Sequence, residues 1–234
     1  MGKTKISVII PAWNASEYLA ECANALKNQT LDAQLQIILA DDGSTDGTVA
    51  LANDLGMTVI QLNHGGAAHA RNAALKLADA PFVFFIDADD VPSPDALEKL
   101  YAPLLANPQL GAVFSKAEDF ISPELTDQER SRLQTRPAPY SGVLPGCSLI
   151  RSKVFAKIGS FDQTLSSGET VAWVMKLRDA GIQTLQLEDV TLRRRIHRNN
   201  TGRRDAKGEA ANYAAILRAR LMKNMSAQKS GDTK

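Results

Sequence analysis

Three carboxylates stand directly after an apolar run in the segment FFIDADD at residues 84–90. A short apolar run is typical of a buried strand. The carboxylates Asp87, Asp89 and Asp90 are therefore predicted to lie at its carboxyl end, where open α/β sheets bind ligands. Neighbouring negative charges repel one another unless a partner compensates them. A divalent cation carrying a phosphorylated ligand would do so. The alternative is a loop of solvated acids before Pro92.

Two further strands are predicted to end at residues that suit a nucleotide. The first ends at the segment PAWN, residues 11–14, where an exposed Trp13 can stack on a nucleobase. The alternative is a tryptophan in the core or in a lid. The second ends at Asp41 and Asp42. A carboxylate there can accept a hydrogen bond from the imide N–H of uracil, which would select uracil over cytosine. The alternative is a loop that only caps the next helix.

A turn of small residues, GGAA at 65–68, precedes a helix that carries Arg71. Small residues permit close approach of the backbone to a ligand. Arg71 can brace the acidic loop, bind a phosphate or form a structural ion pair.

An alternation of strands and helices is predicted to position these residues. Apolar, β-branched runs predict strands at 5–11, 35–40, 57–62 and 82–86. Capping signals and apolar periodicity predict four helices. The first begins at the Asn14–Glu17 capping box and ends near residue 27, and the second follows the 41–48 loop and ends near residue 55. The third covers residues 67–77, and the fourth begins at Ser93-Pro94 and ends near residue 105. This order implies parallel pairing with right-handed crossovers. The predicted fold class is α/β, with a Rossmann-like, mostly parallel central sheet and helices on both faces.

The second half of the chain is less regular. Strands are predicted at 112–115 and 182–187, an extended segment at 142–150, and helices at 126–133, 153–158, 169–180 and 209–224. The polar, proline-rich stretch 117–140 predicts an excursion over the surface, and 193–204 is strongly basic. We predict a nucleotide-sugar-binding half at 1–105, an acceptor-binding half of the same domain at 106–225, and a flexible tail at 226–234.

Composition narrows the class of protein. The chain has 234 residues, 44% apolar and 23% charged, with a net charge of +1, which suits a globular domain and argues against nucleic-acid binding. No apolar run reaches the ~20 residues of a membrane span, and the start resembles no secretory signal. Two cysteines, Cys22 and Cys147, are expected to be reduced. We therefore expect a cytoplasmic protein, and a lipid acceptor would be met peripherally at the membrane.

Several motifs occur together and in order: ISVIIPAWN, NQT, DDGSTDGT, ARN, FIDADD, GSFD at 159–162 and a late Arg195-x-His197. Together they cover roughly residues 5 to 198, and this ordered set resembles family 2 of the glycosyltransferases, which have the GT-A fold. The resemblance implies an inverting transferase that uses a nucleotide-diphosphate sugar, usually UDP-linked, with Mn²⁺ or Mg²⁺.

The resemblance also implies roles for individual residues. Trp13 holds the place of the base-stacking aromatic, Asp42 of the residue that hydrogen-bonds uracil, and Asp87 of the carboxylate near the ribose. Asp89 matches the metal ligand, and His197 matches a position that often completes the metal or diphosphate site. The predicted donor-binding residues are Pro11, Trp13, Asn14, Asp42, Arg71, Asp87, Ala88 and Arg195, and the predicted metal ligands are Asp89, His197 and Asp87. His197 lies among four arginines, which favours anion binding; a solvated basic tail is the alternative.

The sequence departs from the family where a Glu-Asp pair usually opens the late helix. It reads Gly168-Glu169-Thr170 here, so Thr170 stands where the family has its general base. An alignment through Trp173 would require the carboxylate at Ala172, where it is also missing. The predicted catalytic residues are therefore Glu169, as substitute base, and Asp89; the alternative for Glu169 is a helix cap. One extra residue between Asn63 and Ala70 leaves open whether Gly65 or Gly66 is the family's glycine.

Three functions are compatible with this pattern. The first is an active glycosyltransferase, and the second is a weakened relative that binds a nucleotide sugar or a partner without efficient transfer. The third, a nucleotidyltransferase, is disfavoured because the N-terminal segment lacks a glycine-rich, basic triphosphate loop. The acceptor (a glycan, lipid, small molecule or peptide), the sugar, and whether the chain forms a homodimer stay open.

Overall fold

The fold was analysed from a computed structural model, which describes residues 3–133, 135–141, 145–165, 167–198 and 200. The predicted helix at 209–224 and the predicted tail at 226–234 lie outside the described residues, as do residues 142–144 of the predicted extended segment.

The chain alternates strands and helices, as the sequence predicts. The strands are β1 Thr4–Ala12, β2 Ala33–Asp41, β3 Thr58–Gln61, β4 Phe82–Phe85, β5 Val91–Pro92, β6 Leu110–Ile121, β7 Tyr140–Ser141, β8 Ser148–Arg151 and β9 Gln183–Ile196. The helices are α1 Leu19–Lys27, α2 Thr48–Asp54, α3 Ala67–Leu75, α4 Ala96–Ala106, α5 Asp127–Arg130, α6 Ser152–Ile158 and α7 Glu169–Asp179, with a short 3₁₀ turn at Pro145–Cys147.

In the described part of the chain, nine strands form one sheet in the order β3-β2-β1-β4-β8-β6-β9-β5, with β7 beside β6. Strands β1 to β4 pair in parallel. β8 runs antiparallel between β4 and β6, whereas β6 and β9 pair in parallel. The predicted α/β class is confirmed, and β1 to β4 lie within residues 1–105, the predicted nucleotide half. Because β4 pairs with β8, the two predicted halves share one sheet.

Helices cover both faces of the sheet because the strands bury both faces. In β1, Ile6, Val8 and Ile10 pack in one core cluster with α1, α2 and α4. Ile9 packs in the other cluster, with α3, α6 and α7. Successive side chains of a strand point to opposite faces, so a continuous apolar run supplies both cores.

Two predicted helix starts are wrong. α1 begins at Leu19 rather than at the Asn14–Glu17 box, because Asn14 and Ser16 bond the 44–48 loop instead. α4 begins at Ala96 rather than at Ser93, because Ser93 donates to the Asp95 side chain and its N–H bonds β9. In both cases a tertiary contact takes the group that would have capped the helix.

Two strands are longer than predicted. β6 continues through residues 117–121, which were predicted to be a surface excursion, and β9 continues through the basic segment to Ile196. In the paired register, Glu118 lies opposite Arg193 and Asp119 opposite Arg194, with ion pairs of 3.8 and 3.6 Å. Opposite charges on neighbouring strands stabilise their pairing, which single-segment patterns do not reveal. None of the helices in the described ranges is long and apolar enough to cross a membrane.

Candidate functional site

The predicted site residues follow three neighbouring parallel strands. β1 lies between β2 and β4, and Ala12 at the end of β1 is in register with Asp41 at the end of β2. Trp13, Asp42 and Asp87 therefore start from the same edge of the sheet, where open α/β sheets bind ligands. We call this edge the donor edge. Pro11 lies within β1, and Ala88 is buried in the core between the carboxylates that flank it.

The Asp42 carboxylate holds the turn before α3. It accepts hydrogen bonds from the backbone N–H groups of Gly65 and Gly66, both at 2.8 Å. Gly66 has a φ of 88°, which favours glycine, and a Cβ on Gly65 would lie 2.6 Å from the His69 Nδ1 atom. Glycine is thus favoured at Gly66 by its backbone conformation, whereas a side chain at Gly65 would require the His69 ring to move.

Trp13 and Asn14 follow β1 but do different things. Trp13 is 47% exposed, and its ring centroid lies 5.1 Å from that of His64. The side-chain oxygen of Asn14 accepts from the N–H of Thr45 at 2.8 Å, and the N–H of Asn14 donates to the Ser44 hydroxyl. Asn14 therefore ties the end of β1 to the loop after β2, whereas the Trp13 ring is available to a ligand.

Arg71 braces two carboxylates. Its Nη2 donates to Asp87 Oδ1 at 2.8 Å and its Nη1 to Glu169 Oε1 at 2.5 Å. The Arg71 side chain is 4% exposed and that of Glu169 15%, so this ion pair lies largely away from water, whereas the Asp87 side chain is 38% exposed. Arg71 thus connects the donor edge to the first residue of α7 and has no direct phosphate-binding geometry here. Of the three predicted roles, its contacts support two: bracing the acidic loop and forming a structural ion pair.

Asp89 pairs with the end of β9. Its Oδ2 lies 2.9 Å from the Nε2 of His197 and 3.3 Å from the Nδ2 of Asn200. The amide oxygen of Asn200 accepts from the His197 N–H at 2.6 Å, which fixes the turn that carries the imidazole. The structure therefore brings together Asp89 and His197, two of the three predicted metal ligands, from opposite ends of the chain.

A carboxylate oxygen and an imidazole nitrogen in contact are suitable donors for a divalent cation, and Asp89 and His197 supply them. Within the described ranges, no third His, Cys, Asp or Glu completes a metal-binding cluster with them. Asp87, the third predicted ligand, is paired with Arg71 instead. The residues fit a cation that takes its remaining ligands from substrate phosphates and water, which is how Mg²⁺ is usually bound.

Arg195 was predicted to bind the donor, but it is 2% exposed and fully engaged with the protein. Its backbone N–H donates to Asp90, its Nε to the Asp89 carbonyl, and its Nη atoms to Ser122 and Glu21. Burial, together with the charges of Asp89 and Asp87, raises the pKa of Asp90 well above its usual range. Arg195 therefore supports the acidic turn from behind rather than contacting the ligand edge.

The start of α7 carries Glu169 and Thr170 in place of two acids. Glu169 Oε1 accepts from Arg71 and, at 3.3 Å, from the Thr170 hydroxyl. Thr170 also lines a small crevice between the sheet and α7, beside Phe85, Phe161 and Trp173. The carboxylate nearest to the family's base position is thus held by an arginine and a hydroxyl.

Sequence reasoning missed His64 and Asn200. Asn200 lies in a segment that was predicted only as a basic stretch, although asparagine is one of the residues that favour turns. His64 directly precedes the glycine turn, and no pattern in one sequence distinguishes it from an ordinary loop residue.

The sequence is similar to those of known glycosyltransferases. The profile described as glycosyl transferase family 2 matches residues 7–159, more than half of the chain. Glycosyltransferase GlyG of Streptococcus pneumoniae is 29% identical over 177 residues, which cover 65% of this chain and 58% of GlyG. TarS of Staphylococcus aureus, a poly(ribitol-phosphate) β-N-acetylglucosaminyltransferase, is 38% identical over 101 residues, which cover 40% of this chain and 18% of TarS.

Solved structures show the same fold. TarS residues 1–349 in complex with UDP superimpose with a TM-score of 0.66 at 26% identity, over 82% of this chain and 61% of that chain. A mannosyltransferase from Pyrobaculum calidifontis, in complex with GDP-Man and Mn²⁺, has a TM-score of 0.70 at 19% identity, over 93% of this chain and 65% of that chain. The chain thus spans less than two thirds of the length of these relatives. It belongs to glycosyl transferase family 2 and has the GT-A fold of these enzymes.

Proposed function

We propose that the protein is an inverting, metal-assisted glycosyltransferase that moves a sugar from a UDP-linked donor to an acceptor. The observation that carries the proposal is the contact between Asp89 and His197 at the donor edge, because it joins two segments 108 residues apart at the point where a diphosphate would lie. The UDP in the TarS structure, which is 26% identical to this chain, further supports a uridine donor.

The donor would lie along the ends of β1, β2 and β4. Trp13 offers an exposed ring for the base. The Asp42 carboxylate contacts the Gly65 and Gly66 N–H groups and His64 Nδ1, and it has one further lone pair for the base. Asp87, with a side chain 38% exposed, follows β4 and would contact the ribose. The donor would thus extend along the donor edge, with its base near the end of β2 and its diphosphate near the end of β4.

Asp89 and His197 would hold Mn²⁺ or Mg²⁺ between the protein and the diphosphate. When bound, the cation would neutralise the negative charge that develops on the leaving diphosphate. The residues behind the pair keep it in position. Asn200 fixes His197, and Arg195 bonds the Asp89 carbonyl, so little reorganisation is needed when charge develops.

Glu169 would act as the general base for a hydroxyl acceptor. Its Oε1 is engaged by Arg71 and Thr170, and its Oε2 is the oxygen that these bonds do not use. It would take the proton of the acceptor hydroxyl, whose oxygen attacks the anomeric carbon from the side opposite the diphosphate; the bond to the diphosphate breaks and the configuration is inverted. General-base catalysis is worth roughly 10²–10⁴-fold.

The second candidate function is a weakened relative that binds the donor without efficient transfer. It is favoured by Thr170 at the usual base position and by the engagement of Glu169 with Arg71. The two functions share the donor edge and differ only at the start of α7.

Donor turnover separates the two functions. Purified protein is mixed with Mn²⁺ and a panel of UDP- and GDP-sugars, with and without candidate acceptors, and free nucleotide diphosphate is measured. Acceptor-dependent release from one sugar, lost in Asp89→Ala, supports transfer and names the donor. Binding without release favours the weakened relative, and a protein that binds no nucleotide would contradict both functions.

A further inference from the structure

Tyr18 packs against two residues at the end of β9. It directly precedes α1, and its ring centroid lies 4.6 Å from that of His197, with the ring planes at 61°. The guanidinium carbon of Arg195 lies 4.9 Å from the centroid of the same ring. Tyr18 therefore contacts both the histidine that is a candidate metal ligand and the arginine that supports the acidic turn.

The Tyr18 ring is itself held by the segment that follows β6. Its hydroxyl donates to Glu124 Oε1 at 2.9 Å, and Glu124 Oε2 accepts from the Ser122 hydroxyl at 2.5 Å. Ser122 is tied to the end of β9, because its N–H donates to the Ile196 carbonyl at 3.0 Å. Hydrogen bonds thus connect Tyr18 through Glu124 and Ser122 to the strand end that carries the imidazole.

The contact between Asp89 and His197 is the one that a cation would replace. The Nε2 of His197 lies 2.9 Å from Asp89 Oδ2, and these are the two atoms that would become its ligands. The bond from the His197 N–H to Asn200 fixes the backbone, not the side-chain torsions that orient the ring. Packing against Tyr18 acts on the imidazole ring itself.

We propose that Tyr18, held by Glu124, is a positioning residue that keeps the His197 imidazole oriented toward the cation of the donor site. This inference rests on the proposed function and adds a residue that acts through His197. Edge-on contact between two rings is a favourable arrangement. Groups that orient a metal ligand commonly change metal affinity by about 10–100-fold when they are removed. Tyr18 should therefore affect the binding of Mn²⁺ and not that of the nucleobase.

The test measures two affinities. The EPR signal of free Mn²⁺ gives the Mn²⁺ affinity in the presence of UDP, and tryptophan fluorescence gives the affinity for uridine, which carries the base but no diphosphate. Tyr18→Leu is compared with Tyr18→Phe, which keeps the ring. Tyr101→Leu is the matched control, because Tyr101 also packs edge-on against a ring, that of Phe82, and accepts a hydrogen bond from the Thr4 hydroxyl. Its partners begin β4 and β1, at the edge of the sheet opposite the donor edge.

We expect Tyr18→Leu to lower Mn²⁺ affinity by about tenfold and to leave uridine affinity within about twofold. Tyr18→Phe should lower Mn²⁺ affinity by about threefold, because the ring stays but its hydrogen bond to Glu124 is lost. Tyr101→Leu should lower the unfolding midpoint and leave both affinities unchanged. In a His197→Gln background, Tyr18→Leu should have no further effect on Mn²⁺ affinity, because the residue through which it acts has been replaced.

Three results would overturn the inference. The first is a Mn²⁺ affinity in Tyr18→Leu that stays within about twofold of the original. The second is an equal loss of Mn²⁺ and uridine affinity, because Tyr18 would then support the whole donor edge. The third is a further loss in the His197→Gln background, because Tyr18 would then act through Arg195.

A second variant covers the case in which Tyr18→Leu does not fold. Glu124 is exposed, and Glu124→Ala removes the acceptor of the Tyr18 hydroxyl without emptying the space of the ring. Mn²⁺ affinity weakened by about threefold, with unchanged uridine affinity, supports the inference. Unchanged Mn²⁺ affinity overturns it.

The proposed function can fail separately from this inference. If the unmodified protein binds UDP with Mn²⁺ and transfers sugar while Tyr18→Leu binds Mn²⁺ normally, only the role of Tyr18 is wrong. If the unmodified protein binds UDP equally well with and without Mn²⁺, the metal-assisted function is wrong and the role of Tyr18 falls with it.

Discussion

The donor edge and the start of α7 both carry acidic side chains, but they hold them differently. At the donor edge, Asp42 is held by a glycine turn and Asp89 by His197, so each acid has its own support from a distant segment. At the start of α7, Glu169 has Arg71, which it shares with Asp87, and Thr170 follows where a second acid is expected.

The different support of the acidic side chains in the two regions implies that donor binding and sugar transfer depend on different parts of the protein. Supports that come from several elements position a ligand-binding side chain before the ligand arrives, which favours binding and transition-state stabilisation. At the start of α7, one oxygen of Glu169 is committed to Arg71 and Thr170, and a single arginine supports both Glu169 and Asp87. We therefore expect donor binding to tolerate changes in α7, and transfer to depend on both regions.

Arg71→Met should have the largest effect, because Arg71 is the residue that the two regions share. Removing one partner of a buried ion pair costs about 3–5 kcal/mol in the free energy of unfolding, since unpaired carboxylates remain. Denaturant unfolding would measure it, with Arg178→Met on the exposed side of α7 as the control. A loss below 1 kcal/mol would mean that Asp87 and Glu169 are hydrated without Arg71 and that the two regions are independent.

Asp89→Asn should reduce donor turnover by about 10²–10³-fold, the usual effect of removing one group that stabilises developing charge. The amide keeps the shape of the side chain but loses the charge that a cation needs. Mn²⁺-dependent UDP affinity should fall with it, while uridine affinity should not. Asp54→Asn, at the exposed end of α2, is the control. Undiminished UDP affinity with Mn²⁺ present would remove Asp89 from the metal site.

Glu169→Gln should lower transfer by about 10²-fold, the low end for a general base, and leave UDP affinity within twofold. Adding Thr170→Asp to this variant should restore part of the transfer, because it returns a carboxylate to the position that the family uses. Rates and affinities of the single and double variants are measured together. Unchanged transfer in Glu169→Gln would reduce Glu169 to a brace for Arg71, and the weakened relative would become the better description.

The sequence predicted the donor edge well because its signals are local. The apolar run before Asp87 and the polar loop after β2 each indicate where a strand ends. The carboxyl ends of parallel strands lie at the same edge of a sheet. The contact between Asp89 and His197 was expected from family resemblance, not from spacing. The supports were not predictable, because Arg195, Asn200 and His64 act on segments far along the chain. The same cause hid the long pairing of β6 with β9.

The smallest expected effects come from two glycines that precede the helices of the two regions. Gly66, before α3, has φ 88° and ψ 170°, and Gly168, before α7, has φ 78° and ψ 7°. Alanine at Gly168 costs about 1–2 kcal/mol as a left-handed residue, and at Gly66 about 1–3 kcal/mol because that region is almost restricted to glycine. No atom lies within 4 Å of a Cβ at Gly66, so its cost is in the backbone alone.

The two substitutions form a matched pair that tests the comparison directly. Gly66→Ala disturbs the turn that Asp42 holds, so UDP and uridine affinity should fall several-fold while α7 is unaffected. Gly168→Ala disturbs the start of α7, so transfer should fall while UDP affinity stays within twofold. The UDP affinity and the transfer rate of each variant are measured, which gives four values. If Gly168→Ala weakens UDP as much as Gly66→Ala does, then strain at α7 reaches the donor edge through Arg71, and binding and catalysis are not separable in this protein.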